Sequence, residues 1–217
     1  MAVKLKSSRG RPSRPADTRQ RILDAAISSL IRQGSAATTT VTVQQRAGVS
    51  RGALLHHFPT HSELLAATIE ELVRRNEIAV HKALAGLLDN PDPVERATRA
   101  LADALAQPAY LAELELWAVA RTDPQLRAAL RTAERRARRD LDRVVHELFA
   151  PLRDRPAYAV VVMLSSEFVR GFALASVLRS DPVRRAQLLE SWIWAVRILL
   201  DQTSTPSMPH SGATHDD

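Results

Sequence analysis

The sequence contains no cysteine, and this absence excludes disulfide bonds and thiolate metal ligands. It is also poor in aromatic residues, with three Trp, two Tyr and four Phe among 217 residues. No apolar run approaches the roughly 20 residues that span a bilayer, and the N-terminus carries no apolar signal segment. These absences predict a soluble cytoplasmic protein that does not contact a membrane.

Enzymatic motifs are missing as well. The sequence has no Gly-rich phosphate loop, no HExxH pattern and no nucleophile elbow. His57 and His61 are four residues apart, as metal ligands on a helix are, but Pro59 lies between them and interrupts such a helix. We therefore expect no enzyme activity, no metal site and no cofactor.

The residues that are abundant favour helices. Alanine, leucine and arginine dominate, and all three are good helix formers. Apolar residues recur at helical spacing in segments that end at Gly34, Gly48 and His57, and then in a long segment from Thr60 toward Leu88. Further helical segments follow at about 93–106, 108–121, 124–150, 157–179 and 183–201, with prolines at or between their starts. The sequence predicts an all-α fold of about nine helices.

Two helix starts have the spacing of a capping box. Asp17 is followed three residues later by Gln20, and Thr60 is followed three residues later by Glu63. In a capping box the first side chain accepts from a free backbone N–H and the second reaches back to the start. We expect both pairs to act in this way.

The division into domains follows composition. Residues 1–15 are predicted to form a flexible basic arm, residues 16–76 and residues 77–201 two helical domains, and residues 202–217 a disordered tail. Residues 1–60 hold ten of the 30 Lys and Arg residues against two acidic residues, whereas the remainder is slightly acidic. Basic charge concentrated in one segment is typical of a phosphate-binding surface, although a solvated basic tail has the same composition.

A helix-turn-helix is predicted at residues 39–58. Threonines at 38–40 cap a short helix, Gly48 makes a turn, Ser50 caps the next helix, and Pro59 prevents its extension. The major groove of B-DNA accommodates one α-helix, so the N-terminal residues of the second of these helices are placed to reach base edges.

This segment resembles the DNA-binding domain of the tetracycline-repressor (TetR) family. The match runs from Asp17 to about Asn76 without insertion. The residues that carry it are Thr39-Thr40, Val43, Ala47-Gly48-Val49-Ser50-Arg51-Gly52-Ala53-Leu54, His57-Phe58-Pro59 and Glu63-Leu64-Leu65. The resemblance implies a sequence-specific transcriptional regulator that binds double-stranded operator DNA, forms a homodimer and responds to a small-molecule effector.

The resemblance also implies which residues face DNA. Thr39 or Thr40 would hold a backbone phosphate at the start of the second helix. The groove would be faced by Ser50, Arg51, Gly52 and Ala53, with His56 near the DNA backbone. Arg51 can grip guanine O6 and N7 or can hold a phosphate, and the sequence leaves both roles open.

Two positions depart from the family pattern. Leu55 replaces a tyrosine, and His61 replaces a lysine, at positions where many members contact a phosphate. The arm can compensate, because Arg9-Gly10-Arg11-Pro12 resembles an AT-hook core that inserts arginines into a narrow minor groove. General attraction of Arg9 and Arg11 to phosphates is the alternative.

The resemblance assigns the C-terminal helices to a ligand pocket and a dimer interface. Candidate pocket residues are Glu113, Leu114, Trp117, Met163, Glu167 and Phe168. Candidate interface residues are Phe172, Val177, Leu189, Trp192, Ile193 and Val196. Residues of both sets can instead belong to the core of the chain, and some must. The expected function is a dimeric repressor released from its operator by an effector; activation, or an architectural DNA binder without an effector, remains an alternative.

Overall fold

The computed structural model of the protein describes residues 15–178 and 181–202. Within these ranges it contains nine α-helices, one 3₁₀ helix and no strand, which confirms the predicted all-α fold. The helices are α1 Pro15–Gln33, α2 Thr40–Ala47, α3 Arg51–His57, α4 His61–Ala85, α5 Pro93–Leu105, α6 Pro108–Ala120, α7 Pro124–Leu148, α8 Tyr158–Ser176 and α9 Pro182–Asp201, with the 3₁₀ helix at Ala150–Leu152. All but the last residue of the predicted arm, including Arg9 and Arg11, and all but the first residue of the predicted tail lie outside the described residues.

The chain divides into two compact units. The first unit comprises residues up to 71 together with residues 115–133, and the second comprises residues 72–114 and those from 134 onward. Sequence reasoning placed a single boundary after residue 76, whereas the structure groups the end of α6 and the start of α7 with the N-terminal helices. The helices α4, α6 and α7 therefore each contribute residues to both units.

The first unit has a small apolar core built from α1 to α4. Ile22 and Leu23 of α1, Val43 of α2, Leu54 of α3 and Leu64 of α4 are all buried. These residues share one face of each helix, because they recur at the three- and four-residue spacing of an amphipathic helix. Burial of these faces packs α2 and α3 with α1 and α4 in one core.

One predicted cap differs in the structure. The helix α1 begins at Pro15, so Asp17 lies in its first turn rather than at the cap. The Gln20 side chain donates to Asp24 Oδ1 (3.1 Å) and to Glu71 Oε1 (3.3 Å). Glu71 belongs to α4, 51 residues away, and this tertiary partner draws Gln20 away from the capping role. At the start of α4, Thr60 Oγ1 accepts from the Glu63 N–H at 3.1 Å, which is the first of the two bonds of the predicted capping box.

The second unit buries a larger apolar cluster. Its helix α5 packs on both α8 and α9, and α5 is capped by Asp92, whose Oδ1 accepts from the N–H groups of Val94 and Glu95. The fully buried side chains include Leu101, Tyr110, Phe149, Val161 and Ile193. Large apolar side chains from α5, α6, α8 and α9 thus share one interior.

The apolar helix α8 requires a correction to the expectation about membrane spans. It is 19 residues long. Its most apolar stretch of 18 residues has a mean hydropathy of 1.5, and a third of that stretch is buried within the chain. Its length and composition therefore reach those of a membrane-spanning helix, contrary to the estimate made from the sequence. Core helices of proteins in water meet the same criterion, and Val161 and Val169 of α8 are fully buried in the second unit.

Candidate nucleic-acid interface

The turn between α2 and α3 is fixed by Gly48. This residue has φ +61° and ψ 43°, a left-handed conformation that glycine adopts without strain. The Gly48 N–H donates to Gln45 O and the Val49 N–H donates to Gln44 O, each at 3.2 Å. This pair of bonds is the Schellman arrangement that closes a helix C-terminus. The direction in which α3 leaves the turn is thereby set by the local sequence.

Arg21 of α1 adds a second constraint on the turn, and sequence reasoning did not single it out. Its guanidinium donates to the carbonyl oxygens of Ala47 (2.6 Å) and Gly48 (3.2 Å). Carbonyl groups at a helix C-terminus lack intrahelical partners and carry partial negative charge, so an arginine is a favourable donor there. In the sequence, Arg21 is visible only as an arginine directly before the apolar pair Ile22-Leu23. Sequence patterns between neighbouring residues do not relate it to a turn 26 residues away.

The first turn of α3 is exposed. Ser50 is its N-cap, and Ser50 Oγ accepts from the Ala53 N–H at 3.1 Å. Arg51 and Gly52 are exposed, and a Cβ added to Gly52 would meet nothing within 4 Å. Ala53 is half-buried, whereas Leu54 is buried and anchors the helix. The N-terminal face of α3 therefore projects from the unit with a single cation and little side-chain bulk.

The other groove candidates lie on the same short helix or at the start of α2. Leu55 is 38% exposed and His56 is exposed. Thr39 is the N-cap of α2, and its Oγ1 accepts from the Thr42 N–H at 3.1 Å while it bonds with the Thr42 hydroxyl at 3.0 Å. Thr40, the first residue of α2, is half-buried. Helix N-termini present N–H groups that attract phosphates, and α2 and α3 each begin beside these candidates.

His61 is engaged within the chain. Its Nε2 lies 2.7 Å from the Thr38 carbonyl oxygen. A carbonyl oxygen only accepts, so Nε2 carries the proton and donates to it. This bond engages one of the two ring nitrogens of His61, and it gives His61 a partner that the resemblance did not imply.

Two of the basic residues in the N-terminal segment also make internal contacts. Arg46 of α2 donates to Ser28 Oγ (2.8 Å) and to Gln33 Oε1 (3.2 Å), both on α1. The Arg19 guanidinium lies over the Phe58 ring, 5.4 Å from its centroid. Part of the basic charge thus makes contacts inside the first unit, whereas Arg51 is exposed at the start of α3.

The pocket candidates of the second unit separate into two groups. Met163 and Glu167 line a cavity of about 250 Å³ together with residues of α7 and α8, among them His146, Ser166 and Arg170. Glu113 is instead buried, and its Oε2 accepts from Asn76 Nδ2 at 2.8 Å. Leu114 and Phe168 are half-buried and pack against the core, and Phe168 stacks on Trp192 with centroids 4.8 Å apart. Trp117 is half-buried and belongs to the first unit.

A hydrogen-bonded group lies beside this cavity. Arg170 Nε donates to the Tyr110 hydroxyl at 3.2 Å, and its NH1 is 3.3 Å from Glu167 Oε1. Burial raises the pKa of the Tyr110 hydroxyl above its usual value and outweighs the opposing effect of Arg170. Burial by itself lowers the pKa of Arg170, but Tyr110 and the negative charges of Glu167 and Glu113 raise it overall. The lining of the cavity therefore includes a cation, Arg170, and a carboxylate, Glu167, and Arg170 is hydrogen-bonded to the Tyr110 hydroxyl.

The interface candidates require revision. Leu189, Ile193 and Val196 are at most 4% exposed within a single chain, so they offer no surface to a partner and belong to the core. Phe172 and Trp192 are half-buried, with Phe172 beneath the Arg185 guanidinium at 5.1 Å. Of the six, only Val177 is a large exposed side chain, at 59%. Other exposed large apolar side chains of α8 and α9 are Met163, Leu164, Leu174, Val183, Trp194 and Ile198.

Known proteins resemble this chain over most of its length. The family model for bacterial regulatory proteins of the tetR family matches residues 22–68. The HTH-type transcriptional regulator CymR of Pseudomonas putida is 30% identical over 190 residues, which cover 87% of this chain and 94% of CymR. The crystal structure of the multidrug binding protein EbrR complexed with imidazole has a TM-score of 0.60 at 24% identity, covering 89% of this chain and 98% of EbrR. A TetR-family regulator structure from Rhodococcus sp. has a TM-score of 0.63 at 20% identity, covering 85% and 99%.

The exposed α3, its glycine turn and these relatives define a transcriptional regulator that binds DNA through a helix-turn-helix. The chain belongs to the tetracycline-repressor (TetR) family.

Proposed function

We propose that this protein is a homodimeric, cytoplasmic repressor that binds an operator through α3 and leaves it when a small molecule binds the second unit. The observation that carries the DNA-binding part is the exposed first turn of α3, with Arg51 and Gly52 outermost. The N-terminal residues of the second helix of such a motif enter the major groove. The proposed role is regulatory and not catalytic.

The proposed contacts follow from exposure and chemistry. Arg51 reads guanine O6 and N7 or holds a phosphate, and Gly52 and Ala53 let the backbone approach the groove closely. Thr39, Thr40 and Ser50 face phosphates at the starts of α2 and α3, and Leu55 makes an apolar contact. His56 contacts the DNA backbone. The arginines of the arm, Arg9 and Arg11, add minor-groove or phosphate contacts from outside the described residues.

The homodimer is proposed to form through α8 and α9. Leu164 and Leu174 of α8 and Leu178, two residues beyond its end, are 38%, 59% and 90% exposed and follow one another at spacings of ten and four residues. On α9, Trp194 and Ile198 are 64% and 41% exposed and one turn apart. Large apolar side chains that recur on one helix face and lie in solvent are typical of a contact surface. Two copies related by a two-fold axis would bury these faces together and present two copies of α3 to two half-sites.

The effector is proposed to bind in the second unit. The cavity of about 250 Å³ beside Arg170 combines apolar walls from Val145, Val162 and Met163 with a few polar groups, which is the usual make-up of a small-molecule site. The similarity to EbrR, whose crystal contains imidazole, supports a small molecule as well. Met163 and Glu167 are the candidates that line this cavity; Glu113, Leu114, Trp117 and Phe168 remain predicted pocket residues.

DNA selection tests the proposal. The wild-type protein is used to enrich bound duplexes from a random pool, and the affinity for the enriched duplex is then compared with that for a scrambled one. Arg51→Ala should weaken binding to the enriched duplex by about 10-fold or more, because one bidentate base contact is worth about 1–3 kcal/mol. Arg153→Ala removes the same charge from an exposed position in the second unit and should have little effect. If no sequence is enriched, the protein is a general DNA binder and the proposed repressor is wrong. If Arg51→Ala binds the enriched duplex as tightly as the wild type does, Arg51 does not contact DNA.

A further inference from the structure

The loop between α1 and α2, residues 34–39, has backbone groups that its flanking helices leave without partners. Gly34 ends α1 in a left-handed conformation, φ +79°, and its N–H donates to Leu30 O at 2.9 Å. After such a residue the chain leaves the helix axis, so the next N–H, that of Ser35, needs an acceptor elsewhere.

Glu115 of α6 supplies that acceptor. Its Oε1 accepts from the Ser35 N–H at 2.5 Å. The same oxygen lies 3.1 Å from the position that a Cβ on Gly34 would occupy, so the carboxylate approaches the backbone more closely than most side chains would allow. A carboxylate is a stronger acceptor than a neutral oxygen. The bond joins α6 to the first residues of the loop.

His61 of α4 holds the other end of the loop. Its Nε2–H donates to Thr38 O at 2.7 Å. Thr38 is fully buried, and its Oγ1 donates to Gly34 O at 2.8 Å, which closes the loop on itself. The next residue, Thr39, caps α2. Because the loop is a closed unit held at both ends, a displacement at either end changes where α2 begins.

Both helices that hold the loop continue beyond the first unit. The helix α4 supplies residues 72–85 to the second unit, and α6 supplies residues 108–114. On α6, Glu113 accepts from Asn76 of α4 inside the second unit, only two residues before Glu115. The same two helices are thus joined to each other in one unit and to the loop in the other.

We propose that Glu115 and His61 are positioning residues for operator binding, through which α6 and α4 set the loop and the start of α2. The inference rests on the proposed function and deepens it, because it names the hydrogen bonds that would change when an effector binds the second unit. A hydrogen bond of 2.5–2.7 Å weakens steeply when its partners separate, so rotation of either helix breaks the bond and frees the loop. In this proposal His61 acts on the loop through Thr38, a role that the family resemblance does not imply.

Matched pairs of variants test each bond. Glu115→Gln removes the charge and keeps an acceptor for Ser35, whereas Glu115→Ala removes both. His61→Gln keeps an N–H donor for Thr38, whereas His61→Leu does not. Each bond-breaking variant should bind the selected operator roughly 3- to 10-fold more weakly than its Gln partner, the range expected for one hydrogen bond. Affinity for scrambled DNA should change much less.

Operator DNA also serves as the probe of coupling, because linkage between two sites is reciprocal. Amide hydrogen exchange is measured in residues 108–114 of the full chain, with and without operator. Operator should change this exchange in the wild type and in Glu115→Gln, and the change should be reduced in Glu115→Ala. A change in overall stability alone would leave the operator-dependent difference intact.

The outcomes separate the two proposals. A wild type that selects no DNA sequence overturns the proposed function and the inference with it. A wild type that selects an operator, with Ala and Leu variants that match their Gln partners in affinity and exchange, overturns the inference alone. If Glu115→Ala does not fold, the His61 pair decides by the same comparison.

Discussion

The guanidinium of Arg21 in α1 lies 2.6 Å from the carbonyl oxygen of Ala47, the last residue of α2. Its second contact, 3.2 Å to the Gly48 oxygen, places one cation on both carbonyls of the turn that leads into α3. The geometry of the groove-facing helix therefore depends on a residue that is not expected to contact DNA. Sequence-specific binding is sensitive to such a residue because base contacts require α3 to be held at one orientation.

Arg21→Met should lower both stability and operator affinity. Methionine retains the apolar part of the side chain but cannot donate, so two carbonyl groups lose a charged partner. We expect a loss of about 1 kcal/mol in the free energy of unfolding, measured by urea denaturation. Arg32→Met, on the exposed last turn of the same helix, is the matched control and should leave stability within about 0.5 kcal/mol of wild type. Equal stability of the two variants would show that the turn does not need Arg21.

Association is expected to depend on the exposed faces of α8 and α9. Trp194 is 64% exposed, and Trp194→Glu would place two carboxylates in the two-fold contact of the proposed dimer. Like charges in an apolar contact cost several kcal/mol, so the variant should run as a monomer under conditions where the wild type is a dimer. Sedimentation velocity provides the measurement. Leu88→Glu, at a 66% exposed apolar residue outside α8 and α9, should remain a dimer; if it dissociates as well, the contact lies elsewhere.

The ion pair between Asp92 and Arg197 should make the second unit sensitive to acid. Burial on its own raises the pKa of Asp92, but hydrogen bonds from Arg197 and from the backbone of Val94 and Glu95 outweigh it, so the pKa is lowered. A carboxyl whose pKa is lowered by folding contributes stability above its unfolded value of 3.8, and this contribution is lost as the pH falls through the folded value.

Asp92→Asn removes that charge and keeps a good N-cap for α5. The variant should be less stable than wild type by about 0.5–1 kcal/mol at neutral pH, since the pair is partly exposed. The difference should shrink as the pH falls from neutral to well below 3.8, because the wild-type carboxyl is protonated as the pH falls through its lowered folded pKa. Thermal unfolding at the two pH values measures it, with Asp89→Asn as the control at an exposed neighbouring acid. A difference that stays constant with pH would assign the loss to the cap rather than to the charge.

The sequence predicted the local structure correctly where the residues that determine it are close together along the chain. The cap at Ser50, the left-handed Gly48 and the end of α3 before Pro59 are local features, and they define the helix-turn-helix in the structure. Local rules did not find tertiary partners. Gln20 has the capping spacing but bonds to Glu71, and His61 occupies a phosphate-contact position but bonds to Thr38.

The interior of the second unit was harder to assign for a different reason. The helix α9 has apolar residues on two faces, with Leu189, Ile193 and Val196 inside and Trp194 and Ile198 in solvent. Periodicity identifies a face when the opposite face is polar, and here it is not. Only the packing of α9 against α5 and α8 distinguishes the core residues from those available to a partner.

The buried pair of Glu113 and Asn76 leads to the last prediction. Both side chains are at most 4% exposed, Asn76 Nδ2 donates to Glu113 Oε2 at 2.8 Å, and Asn76 Oδ1 has no partner among the described residues. Glu113→Leu leaves the buried Asn76 donor unsatisfied and should cost about 1–3 kcal/mol, whereas Glu113→Gln retains an acceptor and should cost less. The double variant Glu113→Leu with Asn76→Leu removes both polar groups, and it should be more stable than the sum of the single losses predicts, because neither partner is then left buried alone. Urea denaturation of the wild type, Glu113→Gln, the single variants Glu113→Leu and Asn76→Leu and the double variant measures this coupling. Additive losses would mean that the pair does not act as a unit.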